Sequence, residues 1–450
     1  MSSTKHHQDT SINSQQQHDH QQQQQQQQQQ EDQQQKNPHV VAIIAGLFGA
    51  RFCHQTFEEM RQRHPGTRII PVHPGPISSY HDRAVESFYM IKGGRVGNCG
   101  LFLPPPPLPV SLYGFIWLLL DYGQGHSEMC GHDRFGDLHL GQYPQWDADH
   151  PIDLVGYSLG ATTARYLQHL LITQAFTDLN GNTIPTSGDW VRSLVSVQGV
   201  NNGTQCVYPF GLGLHSLDIQ PFTFLWFGIP LLYFVYWLLG SWLDYIYPLS
   251  VGHWRCSREH GTSLSELFTL WPMISDNAVR DLTTRRTQEL NKIMAQTMPH
   301  PNTTYVACVA QATNPIIPYK WSLHLPSWAL LTSFPEIFIM LPLAVFVGLF
   351  GSLTESFAGL EVPADETASA WHSNQVASDG VVSVAGQKPP AQEDTVPGTF
   401  GSFRDIAQHH RKGVWYNLDM GKTWNHMLSM KNGQRQRTFF ADMQDFLRAH

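Results

Sequence analysis

The sequence is poor in charge: only 14% of its 450 residues are Asp, Glu, Lys or Arg, and the formal net charge is -8. No basic block stands along it, so the electrostatic footprint that nucleic-acid binding needs is missing. Six cysteines (Cys53, Cys99, Cys130, Cys206, Cys256 and Cys308) are scattered without a CxxC pair or an even framework. They fit a reducing compartment or unpaired places in a core. Two glycosylation sequons, Asn202-Gly203-Thr204 and Asn302-Thr303-Thr304, point the other way. Residues 1–38, with their run QQQQQQQQQQ, lack apolar side chains to bury and read as a disordered Gln/His-rich head. No charged start followed by an apolar core is visible there, so no secretory signal is read and a cytoplasmic start is expected.

From residue 39 onward strand and helix signals alternate. HVVAIIAGLFG reads as a buried strand ending in a glycine turn, TRIIPV as a second strand, and DRAVESFYMI as a helix. LVSVQGV and TTYVACVAQA are further strands, followed by DGVVSVAG, and TFFADMQDFLRAH closes the chain as an amphipathic helix with Phe439, Met443, Phe446 and Leu447 on one face. Such alternation predicts an α/β fold, one domain over 39–450 with a mostly parallel sheet covered by helices on both faces.

Residues 152–171 concentrate the chemistry. Ile152, Leu154 and Val155 suit a buried parallel strand, and ATTARYLQHLLI places Ala164, Leu167 and Leu171 along one helix face. Between them GYSLG joins strand to helix, the context a nucleophile elbow requires. There Ser158 sits on a strained turn, and the glycines let strand and helix pass closely. The helix N-terminus points N–H groups at any oxyanion formed there. A serine hydroxyl needs an imidazole to take its proton and a carboxylate to fix the imidazole. In α/β-hydrolases the chain order is Ser, acid, His. Asp379 in ASDGVV and His426 in WNHMLSM stand in that order.

These residues resemble the microbial triacylglycerol lipases of the thermophilic bacillus and staphylococcal type and their eukaryotic relatives. DRAVESFY, GG, DYGxxHxxxxGHxRFG, GYSLGATTAR, DNAVRDLTTRRTQELNK, PNTTYVACVA, SDGVVS, KGVWYNLDMG and WNH follow one another in the family's order. The resemblance implies an α/β-hydrolase fold with an apolar lid insertion at about 205–260, and Ser158, Asp379 and His426 as nucleophile, acid and base. Its oxyanion hole uses the N–H after the nucleophile, Leu159, and one from the loop after an early strand, Leu47 in AGLFG, where Ala45 replaces the His of the family's HGF. A structural zinc is also implied, on Asp82, His126 and His132, with Gly252 where the fourth ligand, an Asp, is expected and with Cys130 or His253 as substitutes. Acids that would hold a calcium after the catalytic His are replaced by Leu428 and Asn432, so no calcium is expected.

Three apolar stretches stand apart. Residues 219–243 and 337–354 are each long enough to cross a bilayer. Two spans, however, would leave TTYVACVAQA on the far side from the elbow strand whose sheet it should join. The first stretch falls where the family has its lid, which favours contact with a lipid surface over insertion. The third, in residues 96–120 with its run LPPPPLP, interrupts what the family runs together as GG and DYG, and reads as an insertion foreign to the pattern. The function implied is hydrolysis of lipid carboxylic esters through an acyl-enzyme. The alternatives are an acyltransferase on the same scaffold and a non-catalytic membrane-associated protein with a degenerate hydrolase fold.

Overall fold

A computed structural model of the chain describes residues 38–47, 54–97, 135–176, 182–214, 216–239, 277–316, 324–331, 337–358, 367–427 and 433–450. Six strands form the central sheet: β1 (His39–Ile44), β2 (Thr67–Val72), β3 (Ile152–Tyr157), β4 (Val191–Val197), β5 (Thr304–Ala310) and β6 (Trp415–Gly421). Their spatial order is β6-β5-β4-β3-β1-β2, and every neighbouring pair is parallel. The polypeptide passes from β2 back over β1 to β3, so the order reverses between β1 and β3. In open parallel sheets that switch point opens a crevice at the carboxyl ends of the strands.

The period of two is legible in the burial. Val40, Ala42 and Ile44 of β1 join Leu154, Leu194 and Tyr305 in one core, covered by α2 (Tyr80–Lys92) and α3 (Leu159–Ile172) together with Trp146 and Trp190. Val41 and Ile43 face the other way and join Val155, Val195, Val306 and Leu418 under α1 (His54–Arg63) and α8 (Gln434–Ala449). Strands buried on both faces need continuous apolar runs, which HVVAII and TYVACVA supply. Arg165, the last residue of GATTAR, is fully buried and pairs with Glu393, whose other oxygen accepts from Trp415 Nε1 at 2.6 Å; Arg165 Nη1 also donates to Asn291 Oδ1 at 2.9 Å. This buried pair ties α3 to the far edge of the sheet.

The fold predicted from the alternating pattern is the one found, and TTYVACVAQA does lie in the same sheet as the elbow strand, as β5 between β4 and β6. One segment differs. DGVVSVAG is no strand: Gly380 reverses the backbone at φ +107°, and Ser383 caps a single helical turn, Val384–Gln387. The capping serine and the reversing glycine outweigh the valines' strand preference. At the sheet's other edge, KGVWYNLDMG contains β6, which its mixed composition did not announce.

The segment between β4 and β5 carries α4 (Phe224–Leu239) and α5 (Thr284–Met294), and that between β5 and β6 carries α6 (Ile337–Ala358) and α7 (Ala368–Val376). No helix among the described residues is long and apolar enough to cross a membrane. Helix α4 is only 16 residues with Pro230 inside. The uninterrupted apolar part of α6, Ile337 to Gly351, falls short of the roughly 20 residues a span needs. The head 1–37, most of the 96–120 insertion and the lid beyond Leu239 as far as residue 276 lie outside the described residues.

Candidate active site

Ser158 follows the last residue of β3 and caps α3 with φ 54° and ψ -124°, a backbone conformation that L residues seldom adopt. The conformation is held from both sides. Its N–H donates to Val197 O at 3.0 Å, and its own carbonyl accepts from Ala161 N at 3.0 Å and Val200 N at 3.3 Å. The two flanking glycines are required by contact. A Cβ on Gly160 would stand 2.1 Å from Ile44 O, and one on Gly156 would stand 2.3 Å from Ala161 Cα. Helix α3 can therefore begin directly against the ends of β1 and β3, with its free N-terminal N–H groups at the nucleophile.

Ser158 is only 8% exposed, and its hydroxyl belongs to a continuous hydrogen-bonded chain. Ser158 Oγ is 2.9 Å from His426 Nε2, and His426 Nδ1 is 2.7 Å from Asp379 Oδ2. Asp379 is fully buried, and three further N–H groups converge on its carboxylate. Val381 and Val382 amides donate to Oδ1 at 3.0 and 2.9 Å, and Gln198 Nε2 donates to Oδ2 at 3.0 Å. An ionised carboxylate only accepts, so Nδ1 of His426 carries the proton and Nε2 turns its lone pair to the serine. Backbone bonds fix the imidazole's own loop: His426 N donates to Asp379 O at 2.8 Å, and the Tyr157 hydroxyl donates to His426 O.

The turn after β1 reaches the same place. An ideal Cβ on Gly46 would lie 3.0 Å from Ser158 Cβ and 3.0 Å from Tyr157 O, so the Gly46–Leu47 peptide borders the nucleophile opposite the start of α3. Leu159 follows Ser158 directly and Leu47 follows Gly46, so the two expected oxyanion donors belong to the two segments that adjoin the nucleophile. Arg83, fully buried on α2, holds this turn: Nη2 donates to Ala45 O, Nη1 to Gly75 O at 2.7 Å and Pro74 O at 3.3 Å, and Nε to Thr163 Oγ1 at 3.0 Å.

Of the sequence-selected residues, Ser158, His426 and Asp379 come together, with Leu159 next to the serine and Leu47 one residue beyond the adjoining Gly46. Asp82 is fully buried in the first turn of α2, its N–H accepted by Ser79 Oγ. His126 and His132, with Cys130, Gly252 and His253, lie outside the described residues, and no metal-binding cluster is found among the described ones. Cys206 and Cys308 are buried free thiols, as the unpaired reading of the cysteines expected for a core. Burial pushes the Cys206 thiol up to about 12, which removes it as a rival nucleophile. It serves structure instead, its Sγ donating to Val381 O at 2.7 Å beside the acid turn.

Sequence reasoning missed Gln198, Arg83 and Tyr157. The signal for Gln198 was a single amide side chain at the end of the apolar run LVSV, followed by glycine; that for Arg83 was a cation inside a helix otherwise read as core. Both were open to a bland reading until their partners, remote in the sequence, were known.

Comparison with known proteins agrees with this geometry. Residues 109–182 match a family described as lipase-like, C-terminal domain. The chain is similar to a lipase of Staphylococcus hyicus, 24% identical over 368 residues, which covers 78% of this chain and 45% of that protein. It is also similar to lipase 2 of Staphylococcus aureus, 26% identical over 284 residues, covering 58% of this chain and 34% of that protein. The chain's matches therefore span less than half the length of these relatives. Among solved structures, the Staphylococcus hyicus lipase superposes with a TM-score of 0.61 at 20% identity, covering 92% of this chain and 96% of that one. EstA from Clostridium botulinum gives 0.60 at 21% identity, covering 91% and 87%. A strained serine at a strand-to-helix elbow, with an imidazole and a buried carboxylate in series, stands on an α/β-hydrolase scaffold, and the chain is similar to microbial lipases of the staphylococcal type.

Proposed function

We propose that the protein hydrolyses carboxylic esters of lipids through a covalent acyl-enzyme. The observation that carries this reading is the hydrogen-bonded series Ser158–His426–Asp379 at the elbow, with the Gly46–Leu47 turn against the nucleophile. Ser158 Oγ attacks the ester carbonyl carbon while His426 Nε2 takes its proton, and Asp379 stabilises the imidazolium that results. The carbonyl oxygen becomes an oxyanion facing the Leu47 and Leu159 N–H groups. As the tetrahedral intermediate collapses, the C–O bond to the alcohol breaks and His426 protonates the leaving oxygen, which leaves the acyl group on Ser158. Water then repeats the sequence, with His426 as its base, and releases the carboxylic acid.

A lipid surface is the proposed setting of the substrate. Phe222, Phe224 and Leu231 on and before α4 are 80%, 71% and 61% exposed, a concentration of bare apolar area that suits an aggregated substrate. For the implied zinc, fit can be judged at Asp82 alone, a buried oxygen donor of a type zinc accepts, which His126 and His132 would complete. Such an ion would fasten the start of α2 to the 126–132 segment, and the ester chemistry above uses none of its ligands.

The deciding experiment is labelling with an alkyl fluorophosphonate and turnover of medium-chain esters. Wild type should be labelled and active. Ser158→Ala, a loss of one oxygen in a well-packed turn, should be unlabelled and slower by at least about 10³-fold with its melting temperature kept. Activity of Ser158→Ala within tenfold of wild type would remove the assigned role.

A further inference from the structure

We infer that Arg83 is a positioning residue that sets the separation of the two oxyanion donors; the inference rests on the hydrolase reading above. One donor, Leu159 N–H, belongs to α3, and the other, Leu47 N–H, to the turn after β1. These two pieces are not neighbours in sequence, and a cavity for an oxyanion forms only if both are held at fixed spacing. The guanidinium stands between them.

On the α3 side, Arg83 Nε donates to Thr163 Oγ1 at 3.0 Å, and that hydroxyl in turn donates to the carbonyl of Leu159 at 3.0 Å. On the other side, Nη2 donates to Ala45 O. The same residue's N–H donates to Val72 O at 3.0 Å, so Ala45 is fixed at both polar groups, one peptide unit before the Gly46–Leu47 unit. The remaining nitrogen, Nη1, takes Gly75 O and Pro74 O from the segment after β2. Gly75 is fastened again by its N–H to Glu86 Oε2 at 2.6 Å, one turn along α2 from Arg83. Arg83, Thr163 and Ala45 are all buried, with Arg83 and Thr163 fully so.

A planar fork presents its donors in fixed, well-separated directions and can hold acceptors on three separate segments at once; the three donors of an ammonium radiate from a single nitrogen on a flexible stem and do not reproduce that spacing. The hydroxyl of Thr163 gives the strut its contact with the elbow helix. Valine lacks that hydroxyl yet keeps the residue's shape.

The test uses the full chain with three variants, Arg83→Lys, Thr163→Val and Ser158→Ala, read by kcat and KM on a soluble short-chain ester, by melting temperature, and by inhibition with an alkylboronate. The boronate adds to the serine and places a tetrahedral anionic oxygen where the oxyanion forms. Loss of one oxyanion donor costs on the order of 10²–10³ in kcat. Arg83→Lys should therefore lower kcat on the order of 10²-fold, and Thr163→Val on the order of tenfold, since it cuts one side of the strut. In each, boronate affinity should fall in step with kcat/KM while KM stays within a few-fold. A purely structural role would lower the melting temperature and leave kcat and boronate affinity of the folded enzyme unchanged, and that result overturns the proposal. Should Arg83→Lys fail to fold, Thr163→Val decides by the same readouts. An inactive wild type that Ser158→Ala does not alter would overturn the hydrolase reading itself, an outcome distinct from active variants with unchanged kcat.

Discussion

At the end of β4, Gln198 turns into the left-handed region at φ 47° and carries its amide beneath the triad. Its Nε2 reaches Asp379 Oδ2 at 3.0 Å and Asn425 O at 3.1 Å, and its own N–H donates to Cys308 O at 2.9 Å. One side chain thus joins the acid to the residue that precedes the base. Leucine at this position would keep the approximate shape and lose the donor. Gln198→Leu should cost about 1.5–3 kcal/mol of stability, the range for a hydrogen bond to a charged group, and lower kcat about tenfold with KM near wild type. A kcat unchanged in steady-state assays would mean that the backbone donors of Val381 and Val382 suffice to hold Asp379. The triad residues themselves were legible in the sequence because each sits in a short local motif. Gln198 and Arg83 were not, because their roles are defined by Asp379, Ala45 and Thr163, partners that only folding brings near.

Among the elements, α4 and α6 depart furthest from the pattern of a helix with one buried face. Leu225 and Tyr236 of α4 are buried, whereas Phe224, Phe227, Leu231 and Leu238 are exposed. On α6, Met340 and Ala344 face inward beside Leu330, with Val381 and Met427 packed on them, so this helix lies under both the acid turn and the base loop. Its Phe338 is 73% exposed, and the nearby Trp328 is 77% exposed. The two helices meet through Phe346, which packs on the cluster of Val207, Tyr208, Leu212 and Leu225. Neither helix has an acid in its first turn or a base in its last turn. Replacing Phe222, Phe224 and Leu231 together by Ser should weaken adsorption to a triacylglycerol emulsion at least tenfold, since each such side chain gains about 1.5–3 kcal/mol on full burial. Hydrolysis of a soluble short-chain ester should stay within twofold. Equal adsorption of variant and wild type in a flotation assay would exclude this face from lipid contact.

Across the molecule, groups whose protonation the fold opposes make stability depend on pH. Burial, then the charge of Lys422, pushes His324 down to about 4. Burial, then His450 and Lys412, does the same to His410. In the unfolded chain both imidazoles return to about 6.5. Between these values the unfolded chain binds protons that the fold refuses, so stability is full above about pH 6.5 and declines as pH falls towards 4. Asp153 adds a second decline below that: burial opposes its charge, yet Arg192 and His39 outweigh burial and hold its carboxyl below the usual range, and this contribution disappears as the carboxylate protonates. Melting temperatures measured from pH 7.5 to pH 4.5 should therefore fall, and His324→Gln should flatten the profile. A His324→Gln profile parallel to wild type would show that this imidazole does not titrate with unfolding.

By itself the sequence determined the strand-helix alternation, the elbow and the order of nucleophile, acid and base, because these depend on local patterns: runs of β-branched residues, paired glycines around a serine, and short motifs in series. Its strand pattern also led to the expectation that residues 304–310 join the sheet of the elbow strand, which weighed against two membrane spans. Tertiary structure alone decided the rest. The valines of DGVVSVAG yield to a turn because Asp379 must present its carboxylate to His426 and accept two amides at once. The mixed composition of β6 is tolerated because β5 pairs with it along one side and residues 394–400 bridge to Trp415 and Leu418 along the other. The apolar length of α6 looks like a membrane span until Met340 and Ala344 are seen packed beneath the catalytic loops. Local pattern fixes what an element can be, whereas its partners, which are distant in the chain, fix which of its faces and polar groups are used.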